Sequence, residues 1–288
     1  MTEQSLSLRA RVLAIGLCLA SASVAHAAEP ALVSPWATEQ TARARIVAGG
    51  VAGAGGQRQL YAGLEIALAD GWKTYWRNPG SSGVPPRFEV SGSDNVASAE
   101  LLFPAPVRFA DRDGDTIGYK GHVVLPVRLT PVDPAKPISL KVTAEFGICR
   151  DVCIPVQPTL ELMLPPDAAT QAAGAALDTA VKRVPRIGLA ASGDPQIRNV
   201  KVELAGPKPG VAIEASFPGD AAKGDIFVEA PDGIWIPLPK PVGEATGQVR
   251  EFAIDLTDGA DLADLKGKTI RVTLVGSIGA AESSFKLE

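Results

Sequence analysis

Leu60, Ala62, Leu64, Ile66 and Leu68 occupy every second position of one segment, and Val123, Leu125, Val127 and Leu129 do the same in another. A period of two places such residues on one face of a pleated strand, so each segment can bury one side and leave the other to solvent. The pattern returns at Ile138, Leu140, Val142, Ala144 and Phe146, with Ser139, Lys141, Thr143 and Glu145 between them, and again at Leu160, Leu162 and Leu164. Strands with a single apolar face need a second sheet to cover it, which predicts a two-sheet sandwich. From about residue 195 the alternation resumes, at Val200, Val202 and Leu204, at Val211, Ile213, Ala215 and Phe217, and at Ile226 and Val228. It continues at Phe252, Ile254 and Leu256 and at Ile270, Val272 and Leu274, so a second small sandwich is expected.

The stretch between them reads differently. "DAATQAAGAALDTAVKRVP" opens on Asp167 as a cap, spaces Ala169, Ala173, Leu177, Val181 and Val184 helically, and stops at Pro185. Lying between two all-β regions, it predicts a helix that joins two domains rather than a core element. Residues 28–56, which include "VAGGVAGAGG", offer little to pack and are expected to be mobile or poorly specified.

At the N-terminus, Arg9 and Arg11 precede the apolar run "VLAIGLCLASA", which ends in Ala25-His26-Ala27. That is the pattern of a cleaved secretory signal, with an apolar run well short of the roughly 20 residues needed to span a bilayer. The expected divisions are therefore 1–27 signal peptide, 28–56 flexible segment, 57–165 first sandwich, 166–190 helical linker and 191–288 second sandwich, in a protein free in the periplasm. Cleavage after Ala27 would leave Cys149 and Cys153 as the only cysteines and His122 as the only histidine. Losing Glu3, Arg9 and Arg11 moves the formal charge from −4 to −5. A mildly acidic chain with no basic stripe lacks the footprint of nucleic-acid binding.

The two remaining cysteines stand in "FGICRDVCIP", residues 146–155. A disulfide needs Cα atoms within about 7 Å, whereas four residues of extended strand span roughly 13 Å. A bonded pair therefore requires Arg150-Asp151-Val152 to form the tip of a tight hairpin or a single helical turn, exposing the sulfurs at an edge. Closing so short a loop gains only about 2 kcal/mol on the chain-entropy estimate, which makes a poor staple. An oxidising compartment keeps such a pair bonded, and a donor must supply any reduced state. Three readings stand: a small structural bridge, a redox pair, or two thiolates holding Cu(I). His122, alone at the start of a strand, reads as a surface or packed residue rather than a ligand.

Four blocks narrow the choice. "GWKTYWRNPGSSGVPP" (71–86), "ASAELLFPAPVRF" (97–109), "GYKGHVVLPV" (118–127) and "FGICRDVCIP", in that order, resemble the N-terminal periplasmic domain of the thiol:disulfide interchange protein DsbD, over about residues 55–165. The variant they are most similar to is that of the ScsB-type proteins linked to copper tolerance. The resemblance implies an immunoglobulin-like sandwich and, with the second alternating region, an all-β chain of two such domains joined by a short helix. It implies a thiol:disulfide oxidoreductase of the protein-disulfide reductase type, with a redox-active disulfide and no other cofactor. Its electrons would come from a separate membrane carrier of the DsbD or CcdA type and pass to periplasmic thioredoxin-fold proteins. Carried onto this chain, Cys153, ahead of Ile154-Pro155, becomes the attacking thiol and Cys149 the resolving one.

Better-known members of that family have a longer gap between the cysteines and a loop whose phenylalanine shields them. Here "DRDGDTIGYKG" (111–121) stands in that place with no matching phenylalanine. Tyr119 is the nearest aromatic able to cover the sulfurs, while Asp111, Asp113, Asp115 and Arg150 are candidates to tune them or belong to a solvated turn. Trp72, Tyr75 and Trp76 read as sandwich core. Trp235, in "DGIWIPLP", reads as packing in the second domain or, if exposed beside its prolines, as a docking surface.

Overall fold

The computed structural model describes residues 32–53, 56–80, 83–111, 114–188, 191, 193–258 and 260–288. The expected signal peptide and Asp113 lie outside the described residues. Among the described residues no helix is long and apolar enough to cross a membrane.

The first sandwich contains β1 (Leu32–Val33), β2 (Ala37–Glu39), β3 (Ala42–Ala52), β4 (Arg58–Leu68), β5 (Lys73–Gly80), β6 (Arg87–Glu89) and β7 (Val96–Leu101). It continues with β8 (Val107–Asp111), β9 (Gly114–Lys120), β10 (His122–Pro131), β11 (Ile138–Cys149), β12 (Cys153–Val156) and β13 (Thr159–Leu164). One sheet runs β1-β3-β4-β10-β7, with β2 beside β3; the other runs β12-β11-β5-β9-β8, with β13 and β6 also on β11. The alternating residues meet between the sheets as expected: Leu64, Ile66, Leu125, Leu129, Leu140 and Ala144 are all at most 1% exposed.

After α1 (Ala175–Lys182) and β14 (Arg186–Ile187), the second sandwich is built from β15 (Gln196–Glu203), β16 (Gly210–Ser216), β17 (Asp225–Glu229), β18 (Lys240–Thr246), β19 (Val249–Asp255), α2 (Leu262–Leu265), β20 (Thr269–Val275) and β21 (Ala280–Lys286). Its sheets run β14-β21-β20-β17 and β15-β16-β19-β18. Val211, Ile213, Phe217, Phe252, Ile270 and Leu274 form its core. Both domains are immunoglobulin-like, as the sequence implied.

Two expectations are corrected. The weakly packing 28–56 stretch is strand over much of its length: β3 pairs with β4 from Ala42↔Leu68 to Ala52↔Arg58. Gly49 and Gly50 are there because another segment passes close by. A Cβ on Gly50 would sit 1.8 Å from the Ala169 carbonyl oxygen, and one on Gly49 2.6 Å from the Ala173 Cα. The Gly50 amide donates to the Gln171 carbonyl at 2.7 Å, closing that approach with a hydrogen bond. Small residues that looked too poor to pack are what the packing requires.

The predicted linker helix is also shorter and more embedded. It begins only after Gly174, because residues 169–173 bridge to β3 instead. Its Leu177 and Ala180 are 1% and 7% exposed and pack on Val47, Val51, Tyr61 and Val124, covering the outer face of the first sheet. That cover explains why β4 and β10 are buried on both sides.

The sandwiches meet along a packed and charged seam. Phe227 of β17 joins the core of the first sandwich, 5.8 Å from the Trp76 ring. Arg77 donates to both oxygens of Glu229 and, at 2.6 Å, to Glu282, while Arg108 makes a bidentate pair with Asp225. Planar, two-pronged pairs of this kind fix orientation as well as supplying energy.

Candidate redox site

β5 is regular over its first residues. Trp72, just before it, points into the core, so Lys73 and Tyr75 point to the opposite face. Across from β5, β11 is paired with Ile148 opposite Thr74 and Cys149 opposite Lys73. This register puts Cys149 on the outward face beside Lys73 and Tyr75.

β11 and β12 form a hairpin with Arg150-Asp151-Val152 at its tip, and Cys149 and Cys153 are directly opposed and disulfide-bonded. Their Cα atoms are 4.2 Å apart, the spacing of a close antiparallel pair rather than of four extended residues. Of the two conformations the sequence allowed, the hairpin is the one present. The sulfurs are not equally exposed, however. Cys149 is 2% exposed on a central strand, whereas Cys153 starts the edge strand and is open to solvent.

Tyr75 is the residue sequence reasoning missed. Its hydroxyl donates to the Cys149 Sγ at 2.8 Å and lies 3.2 Å from the Cys153 Sγ, so one O–H serves both sulfurs. The ring is held between two glycines: a Cβ on Gly83 would stand 2.6 Å from it, and one on Gly147 3.3 Å. Burial, helped by the negative charge of Asp111, pushes the Tyr75 phenol above its ordinary value, which keeps the proton on the oxygen. Assigning Tyr75 to the core together with the tryptophans overlooked its phase, since it is one residue out of step with Trp72 and Trp76.

The other expected residues are placed differently. Tyr119 does not cover the sulfurs: it faces the core opposite Thr74, and its hydroxyl donates to the Pro104 carbonyl at 2.8 Å. Asp115 belongs to the seam, 3.1 Å from the same Arg108 that holds Asp225. Arg150 stays beside the hairpin, but its charge is met by Asp151 at 2.9 Å and its guanidinium lies 5.5 Å from the Trp72 ring centroid. Asp111 is bound by Lys73 and Thr116; burial works against its charge, yet those hydrogen bonds hold its carboxyl below the usual range. His122 is paired through Nε2 with Glu65 at 2.7 Å, on the other sheet. Among the described residues no group of three or more His, Cys, Asp or Glu side chains could hold a metal ion.

Cys153 opens onto a groove of about 590 Å³. Its walls are Val84 and Pro85 on one side and Ile154 and Pro155 on the other, with Tyr75 at its floor and Arg87 and Glu145 farther along. An accessible sulfur in an apolar groove, with a second sulfur buried behind it and a neutral donor touching both, can take part in exchange with a sulfur brought from outside.

Residues 44–165 match the family described as thiol:disulfide interchange protein DsbD, N-terminal. Among solved structures, the N-terminal periplasmic domain of ScsB from Proteus mirabilis matches with a TM-score of 0.67, covering 89% of this chain and 98% of that one. At 22% identity that likeness is one of fold, and its extent takes in both sandwiches. No curated protein matches the chain. Residues 44–165, cysteine hairpin included, are thus similar to the N-terminal domains of thiol:disulfide interchange proteins of the DsbD type.

Proposed function

We propose that the chain is a periplasmic protein-disulfide reductase that relays two electrons from a membrane-embedded carrier to thioredoxin-fold proteins through Cys149 and Cys153. The observation that carries this reading is the inequality of the two sulfurs, one buried at 2% exposure and one open at the end of a groove.

In the reduced chain, the Cys153 thiolate attacks one sulfur of a partner's disulfide. A mixed disulfide forms, and the partner's other sulfur leaves as a thiolate that takes up a proton. Cys149 then loses its proton and attacks the Cys153 sulfur, restoring the intramolecular bond and releasing the partner's second thiol. Two electrons and two protons pass to the partner. The carrier reverses these steps to reduce the pair again.

Tyr75 supports both stages from one position. As negative charge passes from Cys153 to the partner and then arises on Cys149, its hydroxyl stays within hydrogen-bond reach of both chain sulfurs. A donor already in place costs no reorganisation when the charge moves. Lys73, opposite Cys149, is held on Asp111 and Thr116 and so ties β5 to β8 and β9.

The test is trapping. With an oxidised thioredoxin as partner, reduced Cys149→Ser should accumulate a mixed disulfide on non-reducing gels, and Cys153→Ser should form none. Equal, inert behaviour of the two variants would contradict the proposal.

A further inference from the structure

The groove that ends on Cys153 does not stop at Pro85. The same proline lines a second cleft, of about 350 Å³, whose other walls come from the second sandwich: Trp235, Ile234 and Leu238, with Arg77 and Glu229 at its base. Trp235, read from the sequence as packing or, if exposed, as a docking surface, is 50% exposed, and Val84 is 60% exposed. Tyr75 at the sulfurs and Arg77 at the second cleft lie two positions apart on β5, which is about 7 Å of strand. The seam described above fixes the two walls relative to each other, so this surface is formed before anything binds.

We infer that a partner protein exchanging with Cys153 is gripped by both sandwiches, with Trp235 of the second as a principal anchor. The inference rests on the exchange function proposed above and names the surface that recognises the partner. The occupant is a folded thiol protein rather than a small thiol, for two reasons. A protein interface of ordinary size covers about 800 Å² per partner, a disc of about 16 Å radius. Centred on Cys153, a footprint of that size takes in Pro85, the residue that the groove and the second cleft share. The surface also differs between the flanks of the hairpin: towards Arg150 and Asp151 it is charged and self-paired, while towards Val84, Pro85 and Trp235 it is apolar. An exposed tryptophan beside prolines is the type of residue that dominates protein interfaces, and it lines the second cleft rather than the groove that holds Cys153.

The test uses residues 28–288 as Cys149→Ser, which leaves Cys153 as the free thiol. Two probes carry the same leaving group: a thioredoxin with its resolving cysteine changed to serine and the other activated as a thionitrobenzoate disulfide, and glutathione activated in the same way. In each, the Cys153 thiolate displaces thionitrobenzoate, which departs as a coloured thiolate. Adding Trp235→Ala should slow the reaction with the protein probe roughly tenfold or more and leave the glutathione rate within about twofold. In the trapped protein complex, backbone amides of residues 231–238 should exchange more slowly than in the glutathione adduct. Unchanged rates with both probes, an equal fall with both, or unprotected amides at 231–238 would each overturn the inference while leaving exchange at Cys153 standing. Failure of Cys153 to react with either probe would instead remove the exchange function, and this surface with it.

Discussion

The second sandwich buries apolar side chains between two sheets and little else; among its described residues Asp194 and Thr273 are the buried polar ones, and Thr273 accepts from Arg77 across the seam. The first sandwich buries Ser34, Glu65, Lys73, Thr74 and Thr116, and adds Tyr75 with its hydroxyl on the sulfurs. Three of these, Lys73, Thr74 and Tyr75, are consecutive on β5. A sandwich can be made without such residues, as the second domain demonstrates, so their concentration on one strand reflects what that strand supports rather than what folding needs. β5 carries three jobs within five residues: Trp76 packs both domains, Tyr75 serves the cysteines, and Arg77 ties the seam.

The division can be broken first at the seam. Arg77→Ala would leave Glu229 without its cation and Glu282 with Arg271 alone, at a cost of about 3 kcal/mol. Calorimetry should then resolve two transitions, with the second sandwich unfolding apart from the first; a single unshifted transition would mean that the arginine contributes little. Next comes the site. Tyr75→Phe keeps the ring between its glycines and removes only the hydroxyl, so the fold should hold while exchange slows roughly tenfold, the worth of one hydrogen bond to a charged group. Because burial holds the phenol protonated, the wild-type pH–rate profile should carry the ionisation of the thiol alone up to about pH 10, and in Tyr75→Phe that ionisation should move upward.

The smallest effect concerns Glu65, the carboxylate buried on β4 between Arg45 and His122. Burial pushes its carboxyl up from 4.5, but hydrogen bonds from Arg45 and His122 prevail and hold it lower. A carboxyl lowered in the folded state contributes stability that is present above 4.5 and is lost as pH falls through the lowered value. Glu65→Gln should therefore destabilise the first sandwich at pH 7 and differ progressively less from wild type in urea titrations towards pH 3. A constant difference would assign the effect to packing.

Much of this architecture is legible in the alternation, because a period of two marks the face of a strand that meets the opposite sheet: every residue from Leu60 to Leu68 at even positions is buried, while the cover of α1 over the other face of β4 went unread. The hairpin is legible too, from the reach of four residues against the reach of a disulfide. What escaped lies in contacts between distant segments. Gly49 and Gly50 looked unstructured because the strand they belong to is shaped by residues 169–173, more than a hundred positions away. Tyr75 looked like core because aromatic character outweighed phase, although Trp72 and Trp76 fix a face it does not share. Tyr119 failed as a cover for the same reason in reverse: its register opposite Thr74 turns it inward. Trp235 is exposed because the cleft beside it is made by two domains, which neither domain's own pattern records.

The central claim is that Cys149 and Cys153 open and close in the folded protein rather than staple it. Its most direct test is the reduction potential of the pair, measured by equilibrating the chain with glutathione or dithiothreitol buffers. A value between about −120 and −270 mV, reached without unfolding, is expected; a value below about −300 mV, with thiols accessible only in denaturant, would contradict a working pair.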